Sequence, residues 1–154
     1  MKIHYATISE TGKRQNNEDA FRIVNGEDGN RWLAVVCDGM GGHAMGEVAS
    51  ETVSDAIVDY WKKHTDEPDS KTKVEKACAH AMRALDKKAN SLNHCQMGTT
   101  MVMASIEGDT VTIICSVLMK GCSTRRRTMC VWIMAGRSLT VAFSPIIMRQ
   151  MSRT

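Results

Sequence analysis

Apolar and polar positions alternate from Ile3 to Ser9, and this period of two predicts a first β-strand. Thr11-Gly12-Lys13-Arg14-Gln15-Asn16-Asn17 breaks the pattern with polar residues and a glycine, which predicts a loop. A second strand is expected over Ala20 to Val24, and the turn-rich Asn25-Gly26-Glu27-Asp28-Gly29-Asn30 closes a hairpin onto Trp32 to Cys37. That third run is apolar at every position, as a central strand buried on both faces would be. Asp38 to Gly42 reads as a glycine-rich loop. The period then changes. Val48, Ala49, Val53, Ala56, Ile57, Tyr60 and Trp61 share one stripe of a helix from about Met45 to Lys63. After a connection over residues 65–70, Val74, Ala77, Cys78, Ala81, Leu85 and Ala89 line a second helix from Thr72 to Leu92. Met97-Gly98-Thr99-Thr100 opens another hairpin, with strands Met101 to Ile106 and Thr110 to Ile114 joined at Glu107-Gly108-Asp109. Strands, two helices, then strands favour an α+β fold with helices laid on antiparallel sheet. From Cys115 onward the pattern dissolves, and no internal repeat is visible.

Composition sharpens that last point. The chain has 154 residues, room for one domain with a real core, and a net charge of +3, too mild to argue for nucleic acid. All 17 acidic residues lie at or before Asp109. The last 45 residues hold none, yet carry 7 of the 20 Lys+Arg. At an ordinary acidic content of roughly 12%, such a gap has a chance of about 0.3%. Asn, His and Tyr are also absent there. Asp, Glu, Asn, His, Tyr, Lys and Gln fill 41 of the first 109 positions and 2 of the last 45, Lys120 and Gln150. These seven side chains differ in charge, size and shape, but their codons share a middle A. The tail therefore reads as translated out of frame, with a basic, apolar extension as the alternative. The chain divides accordingly into 1–114 and an atypical, out-of-frame or disordered tail, 115–154.

The six cysteines (Cys37, Cys78, Cys95, Cys115, Cys122 and Cys130) form no CxxC pair and no zinc-ligand spacing, so reduced thiols are expected. The N-terminus lacks the apolar stretch of a secretory signal, and the cytoplasm is the default compartment. Met129 to Met148 is mostly apolar, but Arg137 and Pro145 interrupt it, so a membrane span is not expected.

Two acidic groups stand at the ends of expected strands: Glu18-Asp19 before one and Asp38 after another. If the strands are neighbours, these carboxylates converge at one edge. Oxygen donors of this kind suit hard divalent cations, and Gly39 lets the backbone approach closely enough to offer its carbonyl. Solvated loop carboxylates are the other reading of the same residues.

Ser9-Glu10-Thr11-Gly12-Lys13-Arg14-Gln15-Asn16-Asn17-Glu18-Asp19-Ala20 resembles the opening motif of the PPM family, the 2C class of protein serine/threonine phosphatases. Val35-Val36-Cys37-Asp38-Gly39-Met40-Gly41-Gly42-His43, followed by Gly46-Glu47, resembles the second motif in its bacterial form, and Gly98-Thr99-Thr100 resembles a third. The resemblance covers about 110 residues. It implies the front half of an αββα sandwich, lacking its C-terminal half. It also implies a binuclear site in which two Mg²⁺ or Mn²⁺ ions activate a water that attacks the phosphorus of phosphoserine or phosphothreonine. Asp38 would bridge the metals, the Gly39 carbonyl would bind one, and Glu18 and Asp19 would hold metal or its waters. Arg14 would fork onto the phosphate. The partners implied are a phosphorylated protein substrate and an opposing serine/threonine kinase.

The sequence also departs from the family. The eukaryotic members place a histidine directly after Asp-Gly; here Met40 stands there, so that role does not pass to His43. Where a Gly-Asp-Ser-Arg-like turn is expected, the chain has Ser116-Val117-Leu118-Met119, and the later Asp-Gly and Asp-Asn motifs have no counterpart. A truncated, weakly active phosphatase is therefore expected. The alternative is a pseudophosphatase fragment that binds phosphoproteins through Arg14 without hydrolysis.

Overall fold

The computed structural model describes residues 4–26, 29–40, 45–67, 71–120, 129–135 and 138–144. Its elements run β1 (Asp19–Asn25), β2 (Arg31–Met40), α1 (Met45–Lys63), α2 (Lys71–Ser91), β3 (Gly98–Glu107), β4 (Thr110–Met119), β5 (Met129–Ala135) and β6 (Ser138–Ser144). The strands pair in chain order as one antiparallel meander. Short turns join β1 to β2 and β3 to β4, whereas α1 and α2 intervene between β2 and β3. Gly26 N–H donates to the Arg31 carbonyl at 2.7 Å, and Gly108 turns β3 into β4 at φ +56°, which a side chain would resist.

Both helices lie on one face of the sheet, α1 over β1, β2 and β3, and α2 against α1 and β4. Glu47 in the first turn of α1 and Lys62 and Lys63 in its last complement the helix dipole. The apolar stripes end where the periodicity put them. Ala49, Val53, Ala56, Ile57, Tyr60 and Trp61 from α1 and Val74, Ala77, Cys78, Ala81, Leu85 and Ala89 from α2 are buried, with Leu33, Val35, Cys37, Met101, Met103, Ile114 and Leu118 from the sheet. The two helices are also stapled by Lys73. It is buried, its ammonium stands 4.1 Å above the Trp61 ring, and it donates to the Glu67 carbonyl at 2.7 Å.

Several expectations are corrected. Residues 4–10 form no strand: each is exposed, and no strand lies beside them among the described residues, so their backbone is left to water. Tyr5 anchors this segment edge-on to Trp32 at 5.6 Å, and Ser9 Oγ accepts from Asn17 Nδ2. β2 is central but covered on one face only. Leu33, Val35 and Cys37 are buried beneath the helices, whereas Val36 on the opposite face is 54% exposed. Phe21, Val36, Val102 and Cys115 are successive register partners on that open face, and all four are exposed. β2 also runs on through Asp38–Met40, expected as a loop, because Thr100, Thr99 and Gly98 of β3 offer it register partners. Gly41, Gly42 and His43 lie outside the described residues. β4 likewise continues past residue 114 to Met119, since β3 is long enough to pair with it. Residues 129–135 and 138–144 are strands, and no described helix is long and apolar enough to cross a membrane. Arg125 to Arg127 lie outside the described residues.

A close backbone contact joins β2 to the start of α1. A Cβ added at Gly39 would stand 2.0 Å from the Gly46 carbonyl oxygen and 2.7 Å from that of Glu18. Gly39→Ala must therefore push two backbone segments apart. Overpacking generally costs about 1–3 kcal/mol, and a clash with backbone belongs at or beyond the upper end. The expected result is a lower urea midpoint with unchanged m; an unaltered midpoint would show that the contact gives way.

The core thiols set a second expectation. Burial pushes Cys37 from its ordinary 9.0 up to about 12, partly offset by a hydrogen bond with Thr99 and the charge of Arg22. Burial, aided by the Glu75 charge, does the same to Cys78, from 9.0 to about 12. Between these limits the unfolded chain has released protons that the folded chain still holds. Stability is therefore full below pH ~9 and falls as pH rises towards ~12, by up to about 1.4 kcal/mol per pH unit for each thiol. Urea midpoints compared at pH 8 and pH 10 should show a smaller drop in Cys37→Ala/Cys78→Ala than in the parent chain. An equal drop would remove the thiols as its source.

Candidate metal and phosphate site

Asp19 opens β1 and Asp38 lies near the end of β2, and the two are direct register partners. Directly opposed residues of an antiparallel pair share a face, and both aspartates are exposed on the open side of the sheet. Glu18, one residue earlier, stands elsewhere. Its carbonyl accepts from the Gly39 N–H at 2.9 Å, and its carboxylate lies against α1, where a Cβ added at Gly46 would be 2.8 Å from Oε1. Adjacent residues in extended chain face opposite ways, which is why Glu18 and Asp19 part company. The carboxylate of Glu18 thereby sits at the start of α1, where the helix dipole favours negative charge.

The backbone of Asp38 is held from β3. Thr99 Oγ1 donates to the Asp38 carbonyl at 2.9 Å, and the Asp38 N–H donates to Thr100 Oγ1 at 3.3 Å. Gly39 follows directly, buried between Glu18 and Gly46. Arg14 lies in the exposed turn after Gly12, its N–H donating to the Thr11 carbonyl at 3.3 Å. Two asparagine side chains fasten that turn. Asn17 Nδ2 donates to Ser9 Oγ at 2.8 Å while its Oδ1 accepts from the Asp19 N–H at 3.1 Å, and Asn16 Nδ2 donates to Glu47 Oε2 at 2.9 Å. The Asn16 contact ties the Arg14 loop to the first turn of α1.

The structure thus brings Asp19 and Asp38 together, sets Gly39 beside them, turns the Glu18 carboxylate towards α1, and leaves Arg14 on an adjoining loop. Thr99, Thr100, Asn16 and Glu47 were missed as supports. They lie within or beside the three motifs, but their pairings span up to 62 residues and leave no local signal.

Neither Asp19 nor Asp38 has an ion-pair partner among the described residues. Like charges directly opposed across a ladder repel, and a cation between them would offset that. The available donors are carboxylate and main-chain oxygen, which suit Mg²⁺ or Mn²⁺ rather than softer metals. Among the described residues no group of three or more His, Cys, Asp or Glu could hold a metal. Two carboxylates are fewer than such a site uses, so the pair fits no more than one edge of a hard-cation site.

The family model of protein phosphatase 2C matches residues 9–117. The serine/threonine phosphatase stp of Listeria innocua serovar 6a is 32% identical over 104 residues, covering 65% of this chain and 41% of that protein. Among solved structures, serine/threonine phosphatase Stp1 from Staphylococcus aureus is similar at 26% identity and a TM-score of 0.56, over 87% of this chain and 51% of the other. The catalytic domain of serine threonine protein phosphatase PstP, in complex with two manganese ions, is similar at 30% identity and a TM-score of 0.52, over 67% and 42%. The chain spans about half or less of these proteins. The match over 9–117 takes in both aspartates, the Arg14 loop and the Thr99-Thr100 support, and on it the chain belongs to the protein phosphatase 2C family.

Proposed function

We propose that this chain carries one side of a metal-dependent protein serine/threonine phosphatase site, acting on phosphoserine and phosphothreonine. The observation that supports this most is the register pairing of Asp19 with Asp38 inside the span that matches the family. Asp38 and the Gly39 carbonyl would hold the cations, with Asp19 beside them and Glu18 binding metal or its waters. Two Mn²⁺ or Mg²⁺ ions held there would supply a nucleophilic water at neutral pH and neutralise phosphoryl charge. The chain's own residues do the rest. Thr99 and Thr100 hold the Asp38 backbone still, and the Gly39–Gly46 contact keeps its carbonyl in place. Arg14 offers a planar fork of donors to the phosphate of a protein substrate that a serine/threonine kinase has modified.

Residues 110–154 bring no acidic side chain, so within this stretch the cations would draw on Glu18, Asp19, Asp38 and the Gly39 carbonyl. We take the tail as out-of-frame product, a reading that nucleotide sequence around codon 115 tests: the absence of an in-frame continuation of the domain in another frame would refute it. Weak metal binding and little turnover follow from so few ligands. Calorimetry with Mn²⁺ should show weak binding that Asp38→Asn reduces tenfold or more, about 1.4 kcal/mol. Arg14→Ala should leave Mn²⁺ binding intact and weaken the binding of inorganic phosphate measured in the same way. Mn²⁺ binding unmoved by Asp38→Asn would defeat the metal assignment. Brisk hydrolysis of p-nitrophenyl phosphate that Asp38→Asn abolishes would instead keep the phosphatase and reject the partial site. Phosphopeptide binding through Arg14 with no Mn²⁺ binding would favour a pseudophosphatase.

A further inference from the structure

The cysteines divide sharply by environment. Cys37 and Cys78 are buried, and their thiols are pushed up to about 12 by that burial, which makes them poor nucleophiles. Cys95 is half-buried, with its Sγ 3.9 Å from the Ala89 carbonyl. Cys115 differs: it is exposed, on the open face of β4. The residue directly opposite it on β5 is another cysteine, Cys130.

We infer that Cys115 and Cys130 form a redox-responsive pair that closes to a cross-strand disulfide when met by a small-molecule disulfide such as oxidised glutathione. The register carries this. Directly opposed residues of an antiparallel ladder have Cα atoms about 4.5 Å or about 5.5 Å apart, according to their hydrogen-bonding position. Disulfides span about 4.4–6.8 Å between Cα atoms and about 3.5–4.5 Å between Cβ atoms, so a non-hydrogen-bonded position suits one as it stands and a hydrogen-bonded one requires the two strands to close by about 1 Å. The exchange balances in two steps. The Cys115 thiolate attacks a sulfur of oxidised glutathione, forming a mixed disulfide and releasing one glutathione thiolate. The Cys130 thiolate then attacks the Cys115 sulfur and displaces the second. Two protein thiols are oxidised, one glutathione disulfide is reduced to two thiols, and the two protons pass to the glutathione thiolates. In a reducing compartment the pair stays as dithiol, and it closes as the disulfide-to-thiol ratio rises. The closed form pins β5 to β4 covalently, at the end of the exposed row formed by Phe21, Val36, Val102 and Cys115. It is a property of this chain whatever the origin of its tail.

The test is to incubate the folded chain with oxidised glutathione, alkylate the remaining thiols, and digest with trypsin without reduction. Cleavage after Lys120 and Arg125–Arg127 puts Cys115, Cys122 and Cys130 on three different peptides, and fragment spectra separate Cys115 from Cys95 on the first. The expected product is a monomer lighter by two hydrogens that yields a Cys115–Cys130 linked peptide pair. Cys122→Ser should leave this link, Cys115→Ser should abolish it, and Cys130→Ser should arrest the reaction with glutathione on Cys115. A Cys115–Cys122 link, a link between two chains, or Cys115 carrying glutathione in the parent chain while Cys130 is alkylated would each overturn the pairing.

Discussion

The contact of Gly39 with Gly46 is the constraint on which the candidate site depends. It brings the end of β2 against the start of α1 more closely than any side chain allows, with Glu18 as the third party. Four placements follow. The Gly39 N–H reaches the Glu18 carbonyl, which adds one rung to the β1–β2 ladder ahead of Asp19. Asp38 is held at its register opposite Asp19. The Glu18 carboxylate meets the positive end of α1. Glu47, in the first turn of that helix, comes within reach of Asn16 on the Arg14 loop. A methyl group at Gly39 would disturb all four, although it would touch none of the acidic side chains.

The sheet is asymmetric in what covers it. One face is sealed by two helices through apolar stripes. The other carries the row Phe21, Val36, Val102 and Cys115 in solvent, and it is the face that bears Asp19 and Asp38. The apolar row and the acidic row are adjacent, two residues apart along each strand. Any layer laid on this face would bury the first row at a gain and meet the second at a cost, since carboxylates removed from water need a partner. A divalent cation is such a partner. The open face and the cation site are therefore one physical problem. Cys115 lies on the apolar row, so a bond to Cys130 would stiffen the sheet at the row's far end rather than at the acidic edge.

The helices were legible to within a residue or two because each carries a long apolar stripe, and periodicity over five turns is hard to mistake. The hairpin turns were legible from glycine and asparagine. Strand ends were not. β2 outruns its apolar segment because pairing with β3 satisfies backbone groups whatever the side chains are, and Asp38-Gly39 joins the ladder on those terms, while β4 runs past its expected end at Ile114 and puts Leu118 in the core. The converse failure is residues 4–10, which alternate as a strand should and pair with nothing described. Alternation states a preference for two environments; it does not supply a neighbour.

For the site, the sequence by itself determined the chemistry: carboxylates at 18, 19 and 38, a glycine at 39, an arginine at 14, and no acidic residue after Asp109. Residue type decides which ion or phosphate a group can bind, and type is written in the chain. Tertiary structure decided which of these groups meet. It set Asp19 opposite Asp38 and turned Glu18 to the helix, because parity along a strand and register between strands are relations among segments far apart in sequence. The supports from Thr99, Thr100 and Glu47, and the facing of Cys115 by Cys130, were decided there for the same reason.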